Sequence, residues 1–273
     1  MKGLKLLRFP IALLRQRQLL WRLTERDVVG RYRGSVLGWG WSFLNPLLML
    51  AVYSFVFSQV FQSRWGSSHA SSNNPLLFAI NLFAGLIVFN LFSECATKAP
   101  ALIVNNTNYV TKVVFPLEIL AGVTVGAASF HAVTSLAILA IFQIIGTGAI
   151  PITSLWLPLV WLPLVIGCLG LVWILAALGV FLRDIGQVVN VAVSMLMFLS
   201  AVFYPVSALP EAWRPLLSLN PLVPIIEETR RVCVAGLPPD WTYLLGGCLL
   251  ALILCEIGYR GFEKARRGFA DVL

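Results

Sequence analysis

The chain has 273 residues, of which 59% are hydrophobic and only 12% charged, and it carries a formal net charge of +8. Soluble domains carry about 25% charged residues, so most of this surface does not meet water, and the long apolar runs exclude a single large soluble domain. The surplus positive charge sits in the connections between those runs, which argues against a nucleic-acid-binding surface and for a topology signal.

The opening, MKGLKLLRFPIALLRQRQLL, combines basic residues with leucines. Arginines interrupt its apolar stretch and no small-residue cleavage site follows, so it reads as mature protein rather than a signal peptide. Arg8, Arg15, Arg22, Arg26 and Arg33 fall within an arc of about 40° at about 100° per residue. Leu13, Leu20, Trp21 and Val28 lie on the other side, and Pro10 and Gly34 bracket the stretch as start and stop signals. Residues 1–35 are therefore expected to form an amphipathic helix in the cytoplasmic interface. It serves either as an anchor and topology signal or, in addition, as a seal over the inner mouth of a pore.

Six segments have the length and apolarity of a membrane span. They are Leu37–Phe61, Leu76–Thr97, Val113–Ile145, Leu155–Leu182, Val188–Leu209 and Trp241–Tyr259. Pro158 and Pro163 are expected to kink the fourth. The third and fourth are longer than a straight crossing needs and should tilt or project. With the N-terminus inside, 16 of the 20 lysines and arginines fall on one side and four on the other, so both termini are placed in the cytoplasm. The fold class is an all-α membrane protein. The expected organisation is an interface segment at 1–35, a six-helix transmembrane domain at 36–260 and a cytoplasmic tail at 261–273.

Residues 205–240, on the outside, hold Pro205, Pro210, Pro215, Pro221 and Pro224 in an otherwise apolar sequence. Two short helices separated by Asn220-Pro221 fit this pattern. They form either a re-entrant hairpin capping a pore or a surface loop. Irregular backbone at membrane depth is tolerated only inside protein or beside a water-filled cavity.

Signs of catalysis are missing from the sequence. There is no G-x-x-x-x-G-K-[ST] phosphate loop and no G-x-S-x-G elbow. The two histidines, His69 and His131, lack ligand spacing, and the five cysteines lack metal or redox spacing. No cofactor or metal is expected in this chain. Glu94, Glu118 and Glu256 lie near the inner ends of spans. Intramembrane ionisable groups are functional candidates, and their plain reading is pairing with Lys98, Lys112 and Arg260.

Arg31-Tyr32-Arg33-Gly34-Ser35, followed by Leu37-Gly38, Trp41 and Asn45-Pro46, resembles the opening of type-2 ABC export permeases, in particular the polysaccharide branch of Wzm-, KpsM- and TagG-like subunits. In the same order, Asn105–Pro116 (NNTNYVTKVVFP), Arg183-Asp184-Ile185, Tyr204-Pro205, Asn220-Pro221 and the terminal Phe269-Ala270-Asp271-Val272-Leu273 fit as well. Glu228-Thr229-Arg230 departs from the pattern, because an aromatic is expected before the arginine. The resemblance implies two copies paired about a two-fold axis. It also implies two separate ATP-binding cassette subunits that carry ATP and magnesium, and a polysaccharide cargo on a polyprenyl-diphosphate or other lipid carrier. O-antigen or related capsule export across the inner membrane of a Gram-negative bacterium is the expected role. A teichoic acid, drug or lipid exporter of the same superfamily is the alternative, and a membrane-embedded transferase on polyprenyl-linked sugars is a third reading.

By the same resemblance, Asn105, Asn108, Tyr109 and Lys112 form the segment that couples to the ATPase, with Arg183 and Asp184 as a gate turn or an anchor. Aromatic faces stack on sugar rings. Tyr53, Phe57 and Phe61 share one face of the first span, and Phe198, Phe203 and Tyr204 lie near the outer end of the fifth. Each set either lines a channel or faces lipid and neighbouring helices. Tyr32 and Arg33 sit at the inner mouth, where arginine suits a carrier diphosphate by its fork geometry and equally suits an interface anchor.

Overall fold

A computed structural model describes residues 9–56, 75–111, 115–214, 217 and 219–273. Every regular element among the described residues is helical. The chain opens with α1 (Phe9–Arg15) and α2 (Arg17–Tyr32). α2 stops where Arg33 turns extended and Gly34 takes φ +86°, a left-handed conformation that favours glycine. The expected interface segment is thus two short helices. Phe9, Leu23 and Val28 are buried, while Leu13 and Leu20 touch Gly122 and Trp21 is exposed.

Among the described residues, four helical stretches are long and apolar enough to cross a bilayer, at Leu76–Ala101, Ile119–Thr147, Ile152–Phe181 and Trp241–Val272. The helices that form them are α4 (Pro75–Lys98), α6 (Ile119–Thr147), α7 (Leu157–Val160) with α8 (Leu162–Phe181), and α11 (Trp241–Ala265). Between α4 and α6 lies the short α5 (Thr107–Thr111). The break between α7 and α8 falls at Trp161, flanked by Pro158 and Pro163, where the sequence predicts a kink. At the places of the first and fifth expected spans stand two shorter apolar helices, α3 (Trp41–Phe55) and α9 (Ile185–Leu199). The fifth therefore ends ten residues earlier than Leu209. Beyond Leu199, Ala201 has φ 53°, which turns the chain sharply and buries Ala201 and Val202.

Helix α4 holds the centre. Leu82, Ala84 and Val88 are fully enclosed, and α4 packs against α6, α8, α9 and α10 (Leu222–Cys233). The tightest contact joins α8 and α11. A Cβ at Gly170 would lie 2.6 Å from the Cys255 Cα, so the two backbones meet without an intervening side chain. One turn on, Trp173 is fully buried. Its indole donates to the Glu118 carbonyl at 3.0 Å, and Tyr259 stands edge-on at 5.1 Å. The chain ends in α12 (Phe269–Val272), whose Phe269 is enclosed by Phe262 and Phe181 at ring distances of 5.5 and 6.0 Å.

In the stretch 205–240, short 3-10 turns at Val206–Ala208 and Glu211–Trp213 precede Asn220-Pro221, and α10 follows directly after it. α10 is tied to the bundle by hydrogen bonds. The Trp161 indole donates to Thr229 Oγ1 at 3.1 Å, Thr153 to the Val232 carbonyl at 2.6 Å, and Gln143 to the Cys233 carbonyl.

Candidate translocation groove and coupling face

A cavity of about 830 Å³ opens between α3 and α9, with walls from α2, α4 and α6. α4 contributes Phe83, Ile87, Asn90, Glu94 and Lys98, which follow one another on successive turns of a single face. The lining is apolar toward Phe83 and Met197 and polar toward the inner end, where Ser93, Glu94, Thr97 and Lys98 meet Arg31, Tyr32 and His131.

The polar end is one charge network. The Glu94 carboxylate accepts from Arg31 at 2.7 Å and from Lys98 at 2.9 Å, and His131 Nδ1 lies 2.9 Å from its second oxygen. Arg31 Nη1 also lies 3.0 Å from His131 Nδ1, and the Tyr32 ring stands edge-on to the imidazole at 6.1 Å. Lys98 reaches Asp27 of α2 at 3.5 Å. One glutamate thus joins α2, α4 and α6. Its half-buried position strengthens these pairings relative to water. His131 Nε2 and Ser42 Oγ, both from cavity-lining residues, are buried with no hydrogen-bond partner among the described residues.

Length explains how His131 comes level with Glu94. α6 has 29 residues and so runs about 44 Å at about 1.5 Å per residue, beyond a hydrocarbon core of about 30 Å. Its first turns stand beside α1 and α2, where a Cβ at Gly122 would lie 2.8 Å from Leu20 and 3.1 Å from Leu13. Of the inner-mouth residues expected from sequence, Tyr32 lines the cavity. Arg33 is exposed and does not line it, and Arg31 takes the inward place.

Toward the outer end, Phe198 is 65% exposed with its ring 5.6 Å from Phe203, and Tyr204 donates to the Phe198 carbonyl at 2.9 Å. Neither Phe198 nor Tyr204 lines the cavity of this single chain. Phe57 and Phe61 lie outside the described residues, as does the side chain of Tyr53 in α3.

The end of the bundle that holds the α4–α6 connection carries a second assembly. Asn105 and Asn108 are exposed in the connection from α4 to α6, and the Tyr109 ring stacks on Phe115 at 4.4 Å. Arg26 of α2 donates to the Tyr109 hydroxyl at 3.1 Å. Arg266 donates to the Glu118 carboxylate and to the Phe115 carbonyl, each at 2.9 Å. The partner of Glu118 is therefore Arg266 from the C-terminal segment, which folds back onto the start of α6; Lys112 lies outside the described residues. Glu256 pairs with Arg260 at 2.7 Å, as its helical spacing dictates. Arg183 and Asp184 are exposed in the turn from α8 to α9. Pro100 is wedged against Gly179 before this turn and lies near Gly186 after it, so the turn and the α4–α6 connection pack together.

Sequence reasoning missed Arg230. It is 4% exposed, and its guanidinium donates to the carbonyls of Asn81 at 3.0 Å, Ala201 at 2.9 Å and Val202 at 2.6 Å and to Glu227 at 2.9 Å. Burial lowers its pKa to about 10, against the pull of the Glu227 charge. It fastens α10 to α4 and to the reversal after α9. The signal available was its position in an apolar amphipathic helix, where a charge must be paired.

Residues 18–233 match the ABC-2 type transporter family. An O-antigen export system permease of Myxococcus xanthus is 29% identical over 269 residues, covering 97% of this chain and 99% of that protein. An O-antigen export system permease of Klebsiella pneumoniae is 25% identical, covering 93% and 95%. A polysialic acid transport protein of Escherichia coli is 22% identical, covering 88% and 92%. With the helical bundle, the polar-floored groove and a family match over most of its length, this chain belongs to the ABC-2 type transporters and is a membrane permease subunit.

Proposed function

We propose that this chain forms the channel of a polysaccharide exporter in the bacterial inner membrane, with O-antigen carried on a polyprenyl-diphosphate as cargo. The observation that carries the reading is the groove between α3 and α9. A sugar polymer presents hydroxyls and apolar ring faces. The groove meets the first with Ser42, Asn45, Asn90 and Ser194 and the second with Trp41 and Phe89. The names of the relatives, O-antigen and polysialic acid permeases, support the same cargo class.

In this reading α3 and α9 complete six spans, with both termini in the cytoplasm and α10 as the re-entrant cap. Their outward faces are apolar, with Phe55 63% and Met195 61% exposed. A second copy of the chain covers these faces and closes two grooves into one conduit, which Tyr53, Phe57, Phe61, Phe198 and Tyr204 help to line. Tyr32 and Arg33, together with Arg31, receive the carrier diphosphate at the inner mouth. Two ATP-binding subunits, bearing ATP and magnesium, dock on the face built from Asn105, Asn108, Tyr109, Lys112, Arg183 and Asp184. The wedge of Pro100 between α8 and α9 transmits their motion to the groove.

The test is reconstitution with the ATP-binding partner in proteoliposomes. Lipid-linked polysaccharide should move only when ATP and both chains are present. Asn105→Glu with Asn108→Glu should abolish stimulation of the ATPase by the permease while the chain stays monodisperse. Polymer movement by this chain alone, or full stimulation in the double variant, overturns the corresponding part of the reading.

A further inference from the structure

A second cavity, about 680 Å³, is a groove bounded by α8, α10 and α11. Its walls are apolar, with Leu164, Leu171, Leu250 and Leu254 along its length, and the exception is Glu228, together with Thr242, at one end. Glu228 accepts the backbone N–H of Asp240, the residue that caps the start of α11, at 2.8 Å. The Trp156 and Trp241 rings meet edge-on at 5.3 Å nearby in the chain fold, each about half exposed, and Tyr243 stands exposed beside them. Such an aromatic belt marks the headgroup level.

From Thr242 to Leu254 the groove follows α11 for about 18 Å, the depth of one leaflet in a hydrocarbon core of about 30 Å. Apolar walls along a length of one leaflet suit an acyl chain. At the headgroup end the groove presents a carboxylate, while the neighbouring cations turn elsewhere: Arg230 to backbone carbonyls and Glu227, and Arg231 to the Pro238 carbonyl at 2.8 Å.

We infer that this groove holds an aminophospholipid of the leaflet away from both termini, with one acyl chain along α8 and α11 and its ammonium group donating to Glu228. An ammonium brings three donors and a charge to a carboxylate held at the edge of the apolar phase, where a charge-assisted bond is strong. The proposal does not depend on the cargo assigned above, because this groove shares no lining residue with the cavity between α3 and α9.

The test is native mass spectrometry of the full chain purified from nanodiscs of equal dioleoyl phosphatidylethanolamine and dioleoyl phosphatidylglycerol. The wild type should retain the amine lipid over the glycerol lipid about fivefold or more, the discrimination of one charge-assisted hydrogen bond. Replacing the amine lipid by phosphatidylcholine, which has no N–H donor, should remove the preference. Glu228→Gln should remove it too, with the total bound lipid unchanged. Gly246 lines the groove, and a Cβ there meets nothing within 4 Å, so Gly246→Leu should fold and displace the acyl chain, lowering retained lipid of either class. Equal retention of both lipids by the wild type, a preference that survives with phosphatidylcholine or in Glu228→Gln, or undiminished lipid in Gly246→Leu would overturn the inference.

Discussion

Replacing Arg230 by methionine keeps much of the volume and removes every donor. The carbonyls of Ala201 and Val202 belong to fully buried residues, and that of Asn81 lies on α4 beneath α10. A buried acceptor left without its donor costs about 1–3 kcal/mol. Carbonyls have two lone pairs and are the cheaper group to leave unsatisfied, so a total of about 3–5 kcal/mol is expected, the range for breaking a buried charged group from its partners. At about 2–4 °C per kcal/mol for a domain of this size, the unfolding midpoint should fall by about 6–20 °C. Differential scanning of the intrinsic tryptophan fluorescence in detergent reads this directly. Glu227, at 38% side-chain exposure, is screened by solvent, so Glu227→Gln should cost about 1 kcal/mol or less. Arg230→Lys should fall between, because one ammonium cannot fork to three carbonyls on two elements. An Arg230→Met midpoint within about 2 °C of wild type, or a Glu227→Gln drop as large as that of Arg230→Met, would refute the view that carbonyl satisfaction is what this arginine supplies.

Glu94→Gln keeps the shape of the network but loses the charge that holds Arg31 and Lys98. Amide hydrogen exchange across residues 25–33 should quicken several-fold, while exchange in the core of α8 stays unchanged; equal protection in α2 would mean that Leu23 and Val28 alone dock it. Gly170→Leu places side-chain atoms where the Cys255 backbone stands, so α8 and α11 must separate. The expected result is loss of the monodisperse peak in size-exclusion chromatography, and a normal profile would show that this contact is not needed for the fold.

How far the fold could be read from the sequence depends on what ends each helix. α4, α6, α8 and α11 are runs of apolar residues as long as the bilayer is thick, and length alone identifies them. The end of α9 is different. Nothing in Met195–Tyr204 changes in hydropathy, so an apolar count carries the span to Leu209. The chain instead turns at Ala201 because buried Arg230, 29 residues later, collects the carbonyls that the turn exposes. A helix terminus set by a distant donor leaves no local mark, whereas one set by glycine, as at Gly34 and Gly148, does.

The same distinction governs the groove. A helical wheel of the first segment selects Arg8, Arg15, Arg22, Arg26 and Arg33 as one polar stripe and passes over Arg31. Arg31 lies about 160° from Arg33 at about 100° per residue. An arginine off the stripe of an interface helix points toward the neighbouring helices rather than along the polar face, and Glu94, at 15% side-chain exposure, meets Arg31 at 2.7 Å. His131 was equally exposed to inference. A lone histidine in an apolar helix, a few turns farther from the α4–α6 connection than Glu94 by residue count, comes to the same level because α6 runs long. What the sequence withholds is the pairing, because Arg31, Glu94 and His131 are separated by 63 and 37 residues and only the crossing of three helices brings them together. The informative residues in such a chain are therefore the polar ones that violate the pattern of their own helix. Arg230 is a buried charge on its own helix and Arg31 breaks the arginine stripe, and each holds together elements that apolar packing alone leaves free to slide.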